Sequence, residues 1–524
     1  MEKKQIKING KIAVEIKING GLFWKAGGPG PSEPNKLVYS ANAAGSTITV
    51  NGETVTLEQG ENITLDYPNE ITSVKATNNT ALTYIQIPNT VTSIEDGDYN
   101  TGSFYKCTAL ASVLLPNSLT NIGNYAFNGC SSLVSITIPD GVTNIGNYAF
   151  DGCSSLASIN IPESVKSISN GAFSGCSSLA SVTLLEGITT INNNTFSGCS
   201  SLVSINIPES VKSIGQGAFY NCTSLASVTL PEGITTINNN TFYGCTALAS
   251  INIPESVKSI GQGAFYNCTS LASVTLPEGI RTINNNTFYG CSSLVSVNIP
   301  NTVTKIEDGS YGNGAFYNCT SLTSVTLPDS LTSIGSFAFK DCTELASISI
   351  PESVKSIGNG AFSGCSSLAS VTLPNTMTMM GRAIFQDCTS LTSVTLPDTI
   401  TNFDSVSIFD GCSSLVSVTL PDTMTIIGAA AFMDCTELAS ISIPESVTSI
   451  EGSAFRGCNK LASITIPSGV KSINYRAFYN CSKLTDFNYN GTKAQWASIT
   501  KGNEWNLNSA FLVVHCTDGE VNIL

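Results

Sequence analysis

Through most of the chain the apolar positions follow a beat that belongs neither to a helix nor to a long strand. Residues 271–288 show it: Leu271, Val274 and Leu276 are apolar, and Ser273 and Thr275 are polar between them. Alternation of this kind puts Val274 and Leu276 on one face of a short strand and Ser273 and Thr275 on the other. Pro277 ends the strand, because it has no N–H to give to a ladder. Ile280, Ile283 and Phe288 then come at wider spacings and are expected to turn inward on a return path. Few segments hold a 3.6-residue period, so little regular helix is predicted.

The unit repeats. Seventeen of the eighteen cysteines lie between Cys107 and Cys481, and fourteen of the sixteen intervals are 23 residues, the exceptions being Cys291 to Cys319 and Cys388 to Cys412. A Phe stands three residues before every one of them, from Phe104 through Phe242 and Phe385 to Phe478. Residues 204–245 return almost verbatim at 250–291, with only Thr235 replaced, by Arg281. A fixed period of this length predicts a solenoid, mostly β, of about 18 coils of 23 residues stacked as a parallel sheet. One coil cannot stand alone. Its six or seven apolar side chains offer roughly 1.5–3 kcal/mol each, while ordering 23 residues costs at least about 1 kcal/mol each. Stacking at the strand spacing of about 4.8 Å closes the gap by pairing backbones and continuing the core.

Outside the array the signals change. Residues 1–25 carry Asn9-Gly10 and Asn19-Gly20 between alternating runs and read as a β-meander, a candidate docking segment. Residues 26–36 form a Gly/Pro linker. Residues 37–70 hold a hairpin around Asn51-Gly52 and are expected to close the first coil. The solenoid proper is assigned to 71–481 and its C-terminal cap to 482–524.

Composition narrows the function. A net charge of −14 offers no basic face for nucleic acid. No apolar run approaches the length of a membrane span, so no membrane insertion is expected. The N-terminus alternates apolar residues with Lys and Glu and predicts no signal peptide. The expected location is therefore extracellular or at the cell surface by a route the sequence does not encode, or in a virion, with the cytoplasm left open. The thiols of equivalent positions on stacked coils point the same way, with Cβ atoms nearly 5 Å apart, too far for the ~3.5–4.5 Å of a disulfide. There is one histidine, His515, so neither a zinc site nor a His-dependent nucleophile is expected, and no cofactor. A column of acids (Asp140, Glu163, Glu186 and onward to Glu278) reads as a solvated charged edge.

The pattern "IPxxVxxIGxxAFxxCxSL" resembles the BspA-like, or treponemal-type, leucine-rich repeats, over about residues 70–485. The tail "YNGTKAQWASITKGNEWN" is similar to a segment that often follows such arrays in gut bacterial proteins. The resemblance implies a right-handed solenoid used for adhesion and protein binding, with many members surface-exposed.

Two features are candidate binding elements. Tyr220, Tyr243, Tyr266, Tyr289 and Tyr317 follow the spine Phe in consecutive coils. A row of aromatic faces can contact protein or sugar, and it can equally stack on itself along the solenoid edge. Two loops, residues 92–107 and 304–319, each carry five extra residues. Asp96, Asp98 and Tyr99 in the first and Asp308 and Tyr311 in the second are the candidate contacts; duplication of a chance insertion explains them equally well. The reading that follows is a non-enzymatic binding or adhesion protein directed at a protein or cell-surface ligand. The alternative is a bacteriophage virion protein, fibre or head decoration, docked through residues 1–25, whose six Lys outnumber two Glu. An intracellular scaffold is the third class.

Overall fold

Among the described residues most turns of the chain form two short strands rather than one. The first is the alternating segment already described; the second is a two-residue piece such as Ser213–Ile214, placed where the apolar residue after the proline turn points inward. The computed structural model describes residues 3–8, 11–16, 35–67, 69–309, 313–400 and 406–523. These fall into two compact units, residues 1–257 and 258–524. Both are β-solenoids with parallel ladders and almost no helix, about 17 turns in all against the roughly 18 expected.

In the first unit, Ser158–Ile161 pairs in parallel with Ser181–Leu184, Ser158 opposite Ser181, so the register advances by one repeat per strand. A second parallel ladder runs through Ser93–Ile94, Asn121–Ile122, Asn144–Ile145, Ser167–Ile168, Thr190–Ile191 and Ser213–Ile214. At the start of the first ladder, Lys36–Ala41 pairs antiparallel with Gly60–Asp66 on one side and Leu82–Gln86 on the other, and Leu82–Gln86 passes the sheet on in parallel to Ser112–Leu114. Thr47–Val50 and Glu53–Thr56 form a hairpin about Asn51 and Gly52, both left-handed (φ 48° and 83°), the conformation that Asn-Gly turns favour. Lys3–Ile8 pairs antiparallel with Lys11–Ile16. The Asn9-Gly10 and Asn19-Gly20 turns lie outside the described residues.

In the second unit the same two ladders recur, one of them Thr282–Ile283, Lys305–Ile306, Ser333–Ile334, Ser356–Ile357 and Met379–Met380. Ser296 pairs with Ser324 across 28 residues, so the long loop is extruded between strands without breaking register. The end of this unit is closed by Asp486–Tyr489, Val513–Cys516 and Gly519–Asn522, the last pairing antiparallel. The single helix among the described residues, Lys493–Ser498, has a capping box between Thr492 and Gln495 and buries Trp496. Trp496 packs with Phe487 and Trp505, which both meet Phe511, in an aromatic plug against the last spine ring, Phe478.

The core is a stack of identical layers. Spine rings lie nearly parallel, 5.1 Å apart at Phe104–Phe127 and 5.9 Å at Phe362–Phe385. Val274 and Leu276 are buried and Ser273 and Thr275 exposed, as alternation predicts. The backbone of a spine Phe is tied twice to the following turn. Phe127 N–H donates to Ala149 O in the next turn (2.7 Å), and the Cys153 thiol of that turn donates back to Phe127 O (3.2 Å). The same thiol bond recurs down both units, as at Cys222 to Phe196 O and Cys365 to Phe339 O. Cys107 to Cys481 are all buried and free, and burial pushes up thiols in both units, Cys222 to about 12 and Cys291 also upward.

Two positions in most coils turn the chain through the left-handed region, Gly102 and Gly314 of the long-loop coils being exceptions at the second. The one before Cys holds Gly, Asn or Asp almost throughout, as at Gly175 (φ 68°), Asn221 (55°) and Asp434 (55°), the residues that tolerate it. The one two residues before Phe is less orthodox. It holds Gly171 and Asn194, but also Ala430 (φ 52°), Arg476 (55°), Phe337 (58°), Tyr125 (55°) and Tyr148 (54°). A bulky side chain there is an outlier, at a cost of about 1–2 kcal/mol.

Candidate functional site: two tyrosine groups on the return path

The residue after the spine Phe sits outside the coil, because the Phe points in and the left-handed residue behind it turns the chain. All five tyrosines of this row are half-buried. In the first unit Tyr220 and Tyr243 stack at 4.5 Å with planes 15° apart. In the second, Tyr266 stacks on Tyr289 at 4.3 Å and 2°, and Tyr289 meets Tyr317 at 4.8 Å and 46°. Lys340 Nζ lies 5.1 Å from the Tyr317 ring and closes that row. Burial, then Asp341, raises the Tyr317 hydroxyl above its ordinary pKa. The rings thus stack on one another and remain only half-buried.

The loop aspartates take a different part. Asp96 Oδ1 accepts the backbone N–H of Asn124 (2.8 Å), and Asn124 Oδ1 accepts that of Asn147 (2.7 Å). Asn147, Asn170 and Asn193 hand the pattern on to Asn170, Asn193 and Gln216. In the second unit Asp308 Oδ1 accepts Ser336 N–H (2.9 Å), Ser336 Oγ accepts Asn359 N–H, and Asn359 Oδ1 accepts Arg382 N–H. Each loop therefore starts a side-chain ladder that satisfies backbone donors left over by the turn. Tyr311 lies outside the described residues.

Asp98 and Tyr99 belong to a second aromatic group that the repeat pattern concealed. Tyr99 is 68% exposed and stands edge-on to Tyr105 (6.1 Å) and Tyr125 (6.4 Å). Tyr125 in turn stacks on Tyr148 at 5.2 Å. The signal was present in the sequence: Tyr125 and Tyr148 fill a slot that neighbouring coils give to Gly or Asn. Burial, followed by Tyr148, Asp151, Asp98 and Tyr99, raises the Tyr125 hydroxyl. An open cavity of about 400 Å³ runs beside Asp98, Tyr125, Tyr148, Asn147 and Asn170. Within the first loop, Asp96 thus serves the backbone ladder while Asp98 and Tyr99 stand with the aromatic group.

The remaining polar features are edges. Asp140 and Glu163 to Glu278 are exposed, and Lys166 and Lys212 fold back to the carbonyls of Glu163 and Glu209. His515 lies 3.3 Å from Glu520 on the exposed final strands. Among the described residues no group of three His, Cys, Asp or Glu is arranged to hold a metal, and no helix is long and apolar enough to cross a membrane.

A Phe-spined β-solenoid with a two-ladder coil and aromatic residues on its return path is a leucine-rich repeat protein. Residues 98–224, 189–313, 309–415 and 405–501 match the BspA type leucine-rich repeat region, and the chain belongs to that family. Comparison with curated proteins finds no match. Among solved structures the chain is similar to a leucine-rich repeat protein from Bacteroides ovatus, at 27% identity over 89% of this chain and 98% of that one, TM-score 0.46. It is also similar to a leucine-rich cell-surface protein from Faecalibacterium prausnitzii (26% identity, 82% and 93% covered, TM-score 0.33). A T. pallidum leucine-rich repeat protein shares 33% identity over 38% of this chain and 81% of its own, TM-score 0.28.

Proposed function

We propose that this chain is a non-enzymatic binding protein of the adhesin type, which holds a protein or cell-surface partner along the tyrosine row. The observation that carries the reading is the run Tyr266, Tyr289 and Tyr317, three half-buried rings in contact on consecutive coils. Rigid stacked aromatics lose little side-chain entropy on contact and are favoured anchors in interfaces. Repetition along the solenoid adds avidity to sites that are weak one by one. Membership of a leucine-rich repeat family is consistent with protein binding and adhesion.

The test replaces Tyr266, Tyr289 and Tyr317 together by Ser, which holds the same position at Ser174, Ser197 and Ser363. Beads coated with each protein are allowed to settle on cultured epithelial cells and are counted after washing. The triple variant is expected to adhere several-fold less with an unchanged melting curve; equal adhesion overturns the reading. Protease shaving of intact producing cells, beside purification of particles from the medium, reports where the chain is displayed. Stoichiometric recovery in particles would replace the adhesin by the virion protein.

A further inference from the structure

Between the two tyrosine groups of the first unit lies a gap. The turns with spine rings Phe173 and Phe196 carry Gly171 and Ser174, then Asn194 and Ser197, where the flanking turns carry Tyr148 and Tyr220. Successive rings from Phe150 to Phe219 are 5.4, 5.7 and 5.7 Å apart, so the missing aromatics leave a notch about two turns wide. Its volume is about 350 Å³, inside the range of ligand sites, roughly 300–1,000 Å³.

Tyr148 forms one wall and leans over the turn beside it: a Cβ on Gly171 would lie 2.4 Å from Tyr148 Cε1. Its other face is covered by Tyr125. Tyr220 forms the opposite wall, its far face covered by Tyr243. Each wall is thus buttressed from behind. The floor and rim are Ser174, Ser197 and Asn194 with Gln216 and Asn240. Every one of these is a neutral donor and acceptor, and no charged residue lines the notch of a chain whose net charge is −14. The carboxylate of Asp151, which forms a hydrogen bond with Ser174, is also engaged by Asn128. At Tyr148 and Asn194 the notch runs into the 400 Å³ cavity beside Tyr125 and Asn170.

We infer that this notch is a binding site for a neutral oligosaccharide. Aromatic walls take the C–H faces of pyranose rings, while uncharged amides and hydroxyls exchange hydrogen bonds with the sugar hydroxyls. No cation lines either cavity, and the one charged residue, Asp98 in the adjoining one, is acidic, so an anionic polymer would find no countercharge here. The adjoining cavity adds about 400 Å³, room for a linear chain rather than a single sugar. Tyr148 sits in a left-handed slot where Gly is the unstrained choice, and the side chain kept there is the one that builds the wall.

The test titrates the full chain calorimetrically with hexasaccharides of β-1,4-glucose, α-1,4-glucose, β-1,4-mannose and β-1,4-xylose, with hexagalacturonate as the charged control. Tyr148→Gly and Tyr220→Ser remove one wall each and use residues that neighbouring turns already carry, so both are expected to fold. Ser197→Tyr fills the gap and leaves the walls intact. The inference expects at least one neutral hexasaccharide to bind, hexagalacturonate not to, and each of the three variants to lose roughly tenfold or more, about 1.4 kcal/mol. Absence of binding to all four neutral chains at millimolar concentration overturns it, as does unchanged affinity in the variants. Tyr148→Gly touches no member of the five-tyrosine row, so its effect separates this site from the protein-binding face.

Discussion

At the scale of single residues the fold rests on two demands that repeat along the array, an inward Phe and left-handed turns on either side of it. Phe265 is fully buried, with Phe288 stacked 5.5 Å away, while Ser273 is exposed. Phe265→Ala is expected to cost roughly 3–5 kcal/mol through the cavity it opens, and Ser273→Ala close to nothing, in parallel urea melts. Equal shifts would contradict the assigned facing. The left-handed slots make a prediction of opposite sign. Ala430 is held at φ 52°, where its Cβ is crowded by backbone. Ala430→Gly is expected to stabilise the chain by about 1 kcal/mol despite the greater freedom of Gly when unfolded. A lower melting temperature for this variant would show that the slot is not strained.

At the scale of the coil, much was legible because the period exposes the physics. Polar Ser273 and Thr275 between apolar neighbours gave the strand and its facing, and the Phe and Cys columns gave the stacking. Other parts escaped for reasons that are also physical. The second ladder is only two residues per turn, too short for alternation to announce it. The destination of Asp96 and Asp308 depends on which backbone donors a turn leaves over, which no composition rule reports. Tyr125 and Tyr148 went unread because their slot is defined by a backbone angle rather than by hydropathy. Acid residues in the same columns also couple across coils. Asp410 accepts a hydrogen bond from Gln386, lies close to Asp387 and Asp434, and is raised to about 6, by burial first and then by Asp387. Its folded-state pKa is thus above the ordinary ~3.9 of an aspartate, so the stability it contributes is complete below about pH 4 and is lost as pH rises through about 6. Asp410→Asn is therefore expected to be more stable than the native chain at pH 7 and equal to it at pH 4. A gap that is the same at both values would contradict the raised carboxyl.

At the scale of the whole chain, near-identical coils make length adjustable. Removing residues 204–249 leaves Val203 followed by Ser250, whose onward sequence to Cys291 repeats the deleted stretch but for Arg281. Such a deletion is expected to fold, with its calorimetric unfolding enthalpy reduced by about 0.7 kcal/mol for each of the 46 residues, roughly 30 kcal/mol. Loss of a cooperative transition would mean that these coils carry something beyond their own stacking.

The thiol column has a consequence for where such a chain can work. A cysteine reacts through its thiolate, and here seventeen thiols are sealed from solvent, and down both units the thiol donates a hydrogen bond to a Phe carbonyl of the preceding turn, or to Ala76 O in the case of Cys107. Oxidant has nothing to attack and reductant has no bond to break, so the folded array is indifferent to the redox state of its surroundings. Cys516, the one thiol partly open to solvent, should be the first to take up iodoacetamide, with the other seventeen labelled only on unfolding. A cysteine count that elsewhere marks a compartment is here a record of packing alone.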